Sequence, residues 1–403
     1  MSQPSHTDAP RYFLFSPSSS YPEPIACLLD GRARCVHVWS NATDQLDPAT
    51  NPPTYLRGWN HVELAPDGGL FVTVPRRSLL KLDRESRIIW RAAIAAHHDV
   101  DVDAGGMVHV LAQQPRLVPW GGTEHVILDD TVTVLDPDGQ PVAVHSLYEL
   151  LVTRPELRHL IDNEIAYRRN GEGVSTPSPG SRAPGAEMFA EIGALDRFTA
   201  LRHLHELTGW PCDVLHANAL EVLQEHPQGL WQAGDVLVSV RNLNLIAVLS
   251  LETAQVRWWW GPGHVSRQHQ PSMLPNGNIL VFDNGYAIGR SRVLELDPVT
   301  RSIVWQYGTR PGESFFSPVA GGSELLDNGN VLITDARAGR AIEITRAGGV
   351  VGETVVERMS SQHSTSQVGI YRMSAVPAGR VADAGLAGRP DLAHRLAHER
   401  GLR

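Results

Sequence analysis

Lysine is almost missing from this chain: Lys81 is the only one in 403 residues, and every other basic residue apart from histidine is an arginine. A phosphate-binding loop of the GxxxxGK[ST] type is therefore excluded, because no lysine follows a glycine-rich turn. Schiff-base chemistry, which needs a reactive amine, is disfavoured for the same reason. Cysteine is scarce too. Cys27, Cys35 and Cys212 have no metal-type spacing and are odd in number. A Cys27–Cys35 bridge across a hairpin fits the spacing, but three reduced thiols are the plainer reading. No apolar run approaches the roughly 20 residues that span a bilayer, so no membrane partner is expected. The opening MSQPSHTDAPRYFLF lacks a basic segment followed by an apolar core, and a cytoplasmic location is the expectation. Excess positive charge is absent as well: the formal net charge is -9, which argues against a nucleic-acid partner.

What is present is an ordinary globular composition, 42% hydrophobic and 20% charged, in a chain long enough to bury a large core. A unit recurs along it: an apolar strand, Asp-Gly or Asn-Gly, two further strands around an Asp-x-x-[ST] turn, and a last strand that often ends in Trp. Five copies occupy 61–90, 98–145, 216–261, 269–308 and 323–351. Each has period-two alternation bounded by turn residues, so four short strands per unit predict an all-β fold, a β-propeller. A sixth blade is expected from both ends of the chain, IACLLDGRARCVHVW (25–39) with QVGIYRMSAV (367–376). Sharing that blade would remove two open sheet edges.

The expected organisation is thus a propeller over 1–376, closed by both termini, with an insertion at 148–210 and a tail at 377–403. Within the insertion, 148–167 and 191–209 carry helical spacing around a stretch rich in Gly, Pro and Ser. The tail is rich in Ala and Arg, and a helix is expected there. The insertion offers a surface on which a homo-oligomer could form, although no heptad pattern argues for one.

In a propeller, residues just before each inner strand point into one shared funnel. Aligning the units on their first turn places His61 seven residues before Gly68, His98 seven before Gly105 and His269 seven before Asn276. His216 opens the third unit in the same manner, while the fifth has Gly321 and Gly322. Histidine suits a strand-start turn, and duplication alone could have spread it. Four units in register nevertheless point to a site. Arg241, read as lying on the following strand of the His216 unit, is costly on an apolar strand unless paired or solvated. It is either a structural ion-pair partner or an anion clamp. Several imidazoles with an arginine suit an oxyanionic group such as sulfate or phosphate. Metal ligation by the imidazoles is the alternative, with Asp99 the one carboxylate in view and no HExxH present.

The segments HHDVDV (97–102), DVLHANALEV (213–222), VLVSVRNLNLIAVLSLETAQVRWWWG (236–261), RQHQPSMLPNGNILVFDNG (267–285) and LLDNGNVLITDARAGRAIEIT (325–345) resemble, in this order, the arylsulfotransferases that use no nucleotide donor. That resemblance implies a six-bladed propeller and a ping-pong reaction. Sulfuryl would pass from an aryl sulfate ester to a histidine, then to a phenolic acceptor, with no cofactor and no metal. The matching positions make His269 the sulfated nucleophile. His98, His216 and Arg241 would bind the sulfuryl oxygens and move protons. The same segments carry His97, Asn218 and Asn242, which with His61 are assigned to substrate binding. The sequence departs from the family pattern at Gln270-Pro271 and in the helical insertion. A metal-dependent lyase or hydrolase built on the histidine cluster, and a non-catalytic propeller scaffold, stay open as alternatives.

Overall fold

The computed structural model describes residues 11–17, 24–41, 58–169, 186–195, 212–355 and 370–386. It is a six-bladed β-propeller, with six sheets of four strands each. The chain opens with β1 (Tyr12–Phe15), β2 (Ile25–Asp30) and β3 (Cys35–Ser40), then forms β4 (Val62–Leu64), β5 (Leu70–Val74), β6 (Ser78–Leu82) and β7 (Ile88–Ala92). Next come β8 (Ala96–Val102), β9 (Val108–Trp120), β10 (Thr123–Leu135) and β11 (Pro141–Ser146). They are followed by β12 (Ala217–Val222), β13 (Val236–Val240), β14 (Leu245–Ser250) and β15 (Gln255–Trp260). The remaining sheets hold β16 (His269–Met273), β17 (Ile279–Asp283), β18 (Arg292–Asp297) and β19 (Ser302–Tyr307), then β20 (Gly322–Leu325), β21 (Val331–Asp335), β22 (Arg340–Ile344) and β23 (Val350–Val355). Last in the chain, β24 (Met373–Val376) pairs antiparallel with β1, so one sheet holds strands from both ends. Four helices occur among the described residues: α1 (Leu147–Leu151), α2 (Pro155–Arg169), α3 (Ala186–Gly193) and α4 (Ala378–Asp383).

The chain divides into two compact units. The first comprises 1–74, 80–91 and 272–403. Trp39 and Trp59 are completely buried there, in a core with Leu14, Leu28, Leu70 and Leu80. Helix α4 adds Val381 to the same cluster, which ties the start of the tail to the sheet core. Residues 387–403 of the expected tail lie outside the described residues. Cys27, Cys35 and Cys212 are not joined in disulfides.

The second unit comprises 75–79 and 92–271. Its strands β9 and β10 run for 13 residues each, far longer than a blade requires. Gly121 and Gly122 join them with φ of 56° and 78°, the two-residue turn whose twist matches a hairpin. Helix α1 starts at Ser146, whose hydroxyl accepts from the Glu149 N–H at 3.0 Å. The expected helix over 148–167 is broken where Pro155 opens α2, since proline fits a first turn and not an interior. Leu157, Ile161 and Ile165 form one buried stripe on α2 and share a cluster with Val214, Leu215, Val240 and Leu243. Burying each is worth about 1.5–3 kcal/mol, so the insertion is packed onto the sheets. Of the other expected helix, 196–209 lies outside the described residues, as does 170–185 of the loop; α3 begins earlier, at Ala186.

His125 on β10 is completely buried, and neither ring nitrogen has a hydrogen-bond partner. Burial, helped by the positive charge of Arg169, lowers its pKa to about 4. A depressed histidine pKa means that the unfolded chain binds the proton first as pH falls below about 6.5. Stability is therefore lost from pH 6.5 down to about 4 through this residue. The His125→Leu protein is expected to melt above the wild type, because it removes two unsatisfied buried nitrogens. The gap should widen as pH falls through that window. Thermal melts of both proteins across it would show the opposite, a constant gap, if the ring were solvated.

Candidate functional site

Two inner strands of the second unit are kinked at the same place. The register of β8 against β9 shifts between Ala96 and Val100, and that of β12 against β13 shifts between Ala217 and Ala219. His98, inside the first of these shifts, and His216, directly before β12, adopt φ of 54° and 52°, a left-handed conformation uncommon outside glycine. Arg267 and Gln270, on either side of Gln268 and His269, do the same at 57° and 40°. Backbone strain of this kind persists only where the surroundings impose it, and it gathers here around the histidines.

The imidazoles meet. The His98 ring lies 4.9 Å from the His216 ring and 4.9 Å from that of His97, centroid to centroid. His97 Nδ1 and His98 Nδ1 are 2.7 Å apart, so one must donate and the other accept. His97 Nε2 stands 3.2 Å from Oδ1 of the fully buried Asp130. Asp130 also accepts from Gln113 Nε2 at 2.9 Å and from the Ala217 N–H at 2.6 Å. Burial holds the His98 pKa well below the ordinary value, and electrostatic interactions with His97, His216, His269 and Arg76 lower it further. His98 is therefore a neutral imidazole at neutral pH.

His216 has a carboxylate partner. Its Nδ1 lies 2.6 Å from Oδ2 of Asp213, which is buried. Burial opposes the Asp213 charge, but His216, Arg168 and Arg76 outweigh it and hold the carboxyl well below its usual range. For His216, burial lowers the pKa more than Asp213 raises it, and Arg241 adds to the fall. Arg241 is not on a strand, as the sequence had suggested. It opens a 3-10 turn, Arg241–Leu243, directly after β13, because its N–H turns back to the His216 carbonyl at 3.2 Å. From that turn Nη1 donates to Asn242 Oδ1 at 3.0 Å. The Asn242 amide in turn donates to the Asp213 carbonyl at 2.7 Å, so it holds the segment that carries His216.

His269, the first residue of β16, is positioned by the backbone before it. The Arg267 N–H donates to Asn244 Oδ1 at 2.8 Å, and Gln268 Nε2 donates to Ser239 Oγ and to the Leu245 carbonyl, both at 3.0 Å. Asn218 Nδ2 donates to the Gln268 carbonyl at 2.9 Å. Gly261 makes this possible: with φ of 133°, a Cβ there would lie 2.3 Å from the Asn244 carbonyl oxygen. His269 Nδ1 is 3.2 Å from the Arg267 carbonyl oxygen, which can only accept. In the neutral ring this places the proton on Nδ1 and the lone pair on Nε2.

Sequence reasoning missed Asp130, Asp213, Arg76 and Arg168. Asp130 was visible in VILDDTVTVL, where two carboxylates interrupt an apolar strand and must be paired. Asp213 stands three residues before His216, inside a segment already singled out. Arg168 comes from the insertion. It extends the buried stripe of α2, is itself 6% exposed, and donates to Glu164 Oε1 at 2.6 Å. Its charge acts on Asp213.

Other expected residues are placed differently. His61 belongs to the first unit, where Arg372 Nη2 lies 2.8 Å from Nδ1 and 2.7 Å from Nε2. Asp99, the carboxylate considered for a metal, accepts from the Val100 and Leu220 N–H groups at 3.1 and 3.0 Å and stitches β8 to β12. Among the described residues, no three His, Cys, Asp or Glu side chains are arranged to hold a metal ion. No helix among them is long and apolar enough to cross a membrane.

The second unit thus gathers imidazoles, an arginine and a buried carboxylate–imidazole pair around its strand starts. The family model for arylsulfotransferase (ASST) matches residues 61–357, and the chain belongs to that family. Membership makes it a transferase by class, with small aryl molecules as the family's substrates. No curated protein matches the sequence. Among solved structures, a protein of unknown function from Bacteroides caccae is 13% identical, with 91% of this chain and 99% of that one covered and a TM-score of 0.47. The periplasmic gluconolactonase PpgL of Pseudomonas aeruginosa is 10% identical over 91% of this chain and 99% of its own, with a TM-score of 0.45. A streptogramin B lyase is 9% identical, covering 89% and 90% with a TM-score of 0.43.

Proposed function

We propose that the protein moves a sulfuryl group from an aryl sulfate ester to a phenolic acceptor, with His269 as the transient carrier and no nucleotide donor. The observation that carries this reading is the fixed tautomer of His269: the Arg267 carbonyl takes the Nδ1 proton, which leaves Nε2 as the nucleophile. Nε2 attacks sulfur, the bond from sulfur to the aryl oxygen breaks, and its electron pair leaves with that oxygen. In the return step an acceptor oxygen attacks sulfur and the S–N bond breaks, restoring the imidazole. Arg241 and the imidazole of His98 face the charge on the transferred oxygens, and His216 moves the proton. His97, Asn218 and Asn242 keep these groups in place. The near absence of lysine agrees with a donor that carries no nucleotide phosphates.

Incubation with a chromogenic aryl sulfate in the absence of acceptor should add one sulfuryl group to the intact mass and release one equivalent of phenol. A phenolic acceptor should then discharge the adduct. Phenol released continuously with no adduct, together with a stoichiometric bound metal, would replace this reading with a metal-dependent hydrolase.

A further inference from the structure

The pair formed by Asp213 and His216 asks for a role of its own. A carboxylate buried to 1% exposure is expensive to maintain, and this one points an oxygen at an imidazole nitrogen 2.6 Å away. Its other oxygen, Oδ1, has no hydrogen-bond partner. The carboxylate therefore contributes nothing to the sheet ladder, in contrast to Asp99 and Asp130, whose oxygens accept backbone N–H groups. A residue needed only for folding would be satisfied in that way. What Asp213 does instead is fix one ring. Its oxygen accepts the Nδ1 proton of His216, so Nε2 is the nitrogen of that ring whose proton can come and go.

We infer that Asp213 is the positioning residue of the transfer reaction, holding His216 in the orientation and tautomer that let Nε2 give a proton to the departing phenol oxygen and take one from the incoming acceptor. The inference rests on the sulfuryl-transfer reading. In the loading step, His216 Nε2–H donates its proton to the aryl oxygen as the electron pair of the broken S–O bond arrives there. In the return step, the acceptor hydroxyl gives its proton to Nε2 as its oxygen attacks sulfur and the S–N bond electrons return to His269. Protons and charge balance over the cycle. The imidazolium that carries the Nε2 proton before loading, and that re-forms in the return step, is stabilised by the Asp213 charge. Around the pair, Arg241 and Asp130 act on His216, while Arg76 and Arg168 act on Asp213. Arg168 rides on α2, whose stripe of Leu157, Ile161 and Ile165 packs in one cluster with Val214 and Leu215, the residues between Asp213 and His216. The insertion is thereby built into the support of the proton carrier.

A proton carrier matters in proportion to how badly the leaving group needs a proton, and that supplies a readout no purely structural role would move. With para-nitrophenyl sulfate, whose phenol leaves readily as an anion, Asp213→Asn should load His269 only about threefold more slowly than the wild type. With phenyl sulfate, a poorer leaving group, the variant should load about 100-fold more slowly. The rate should therefore fall more steeply with leaving-group pKa in the variant, and Asp213→Glu should restore part of the difference. An equal loss on both donors would reduce Asp213 to a structural residue and overturn the inference. If neither variant folds, the wild type still decides: loading from phenyl sulfate without any solvent deuterium isotope effect also overturns it. A wild-type protein that loads from neither donor removes the sulfuryl-transfer reading itself, which is a distinguishable outcome.

Discussion

The His269→Ala protein is expected to take up no sulfuryl group and to release phenol from an aryl sulfate at least about a thousandfold more slowly than the wild type. The size of the effect follows from the role. A residue that stabilises charge can be removed and leave partial catalysis, but removing the nucleophile removes the covalent path. The local fold should survive, because the chain around His269 is held by other groups: Asn244 takes the Arg267 N–H, and Ser239 with the Leu245 carbonyl takes the Gln268 amide. Loss of activity with an unchanged melting temperature would then be specific. Intact mass after incubation with donor, alongside a thermal melt, checks both halves. A variant that still forms the adduct places the carrier on another imidazole, with His98 and His216 the neighbours to test next. A variant of unchanged activity returns the chain to a scaffold role.

The repeats made most of the fold legible, because period-two alternation and Asn-Gly or Asp-Gly turns encode a strand meander locally. The register of the histidines was legible in the same way, and the structure brings His97, His98, His216 and His269 into one unit with Arg241, Asn218 and Asn242. What the sequence hid was everything decided by contacts between distant segments. The turn that takes Arg241 off its strand depends on the His216 carbonyl, 25 residues away in the chain by the positions of the two residues. Arg168 reads as one of two adjacent arginines at the end of a helical stretch inside the insertion, and only the packing of α2 reveals that its charge acts on Asp213. The left-handed backbone at His98 and His216 has no composition signal, since no glycine marks it. His61 shares the register of the others, yet its partner Arg372 lies more than three hundred residues further along, a distance of 311 positions. Equivalent positions in a repeat share a backbone; their partners are set blade by blade.

Asp130→Ala is expected to be the most damaging of the single substitutions for stability, at about 3–5 kcal/mol, because it breaks a buried charged network by removing its acceptor. Asp130 is completely buried and serves two donors, the Gln113 amide on β9 and the Ala217 N–H at the start of β12, with the His97 ring of β8 3.2 Å away. Truncation would strand the Ala217 N–H and the Gln113 amide in a dry interior, each at the cost of an unsatisfied buried donor. Asp130→Asn should be milder. Its remaining oxygen can still accept from Ala217, while its new amide faces the Gln113 amide donor to donor. The order of denaturation midpoints should be wild type, then Asn, then Ala, measured by urea unfolding with the slope unchanged. Activity should fall in the same order even where the protein is fully folded, since Ala217 follows His216 directly and His97 lies against His98. A folded Asp130→Ala protein with a wild-type midpoint would mean that water reaches this carboxylate, and that the strands carrying the histidines are held by the ladder alone.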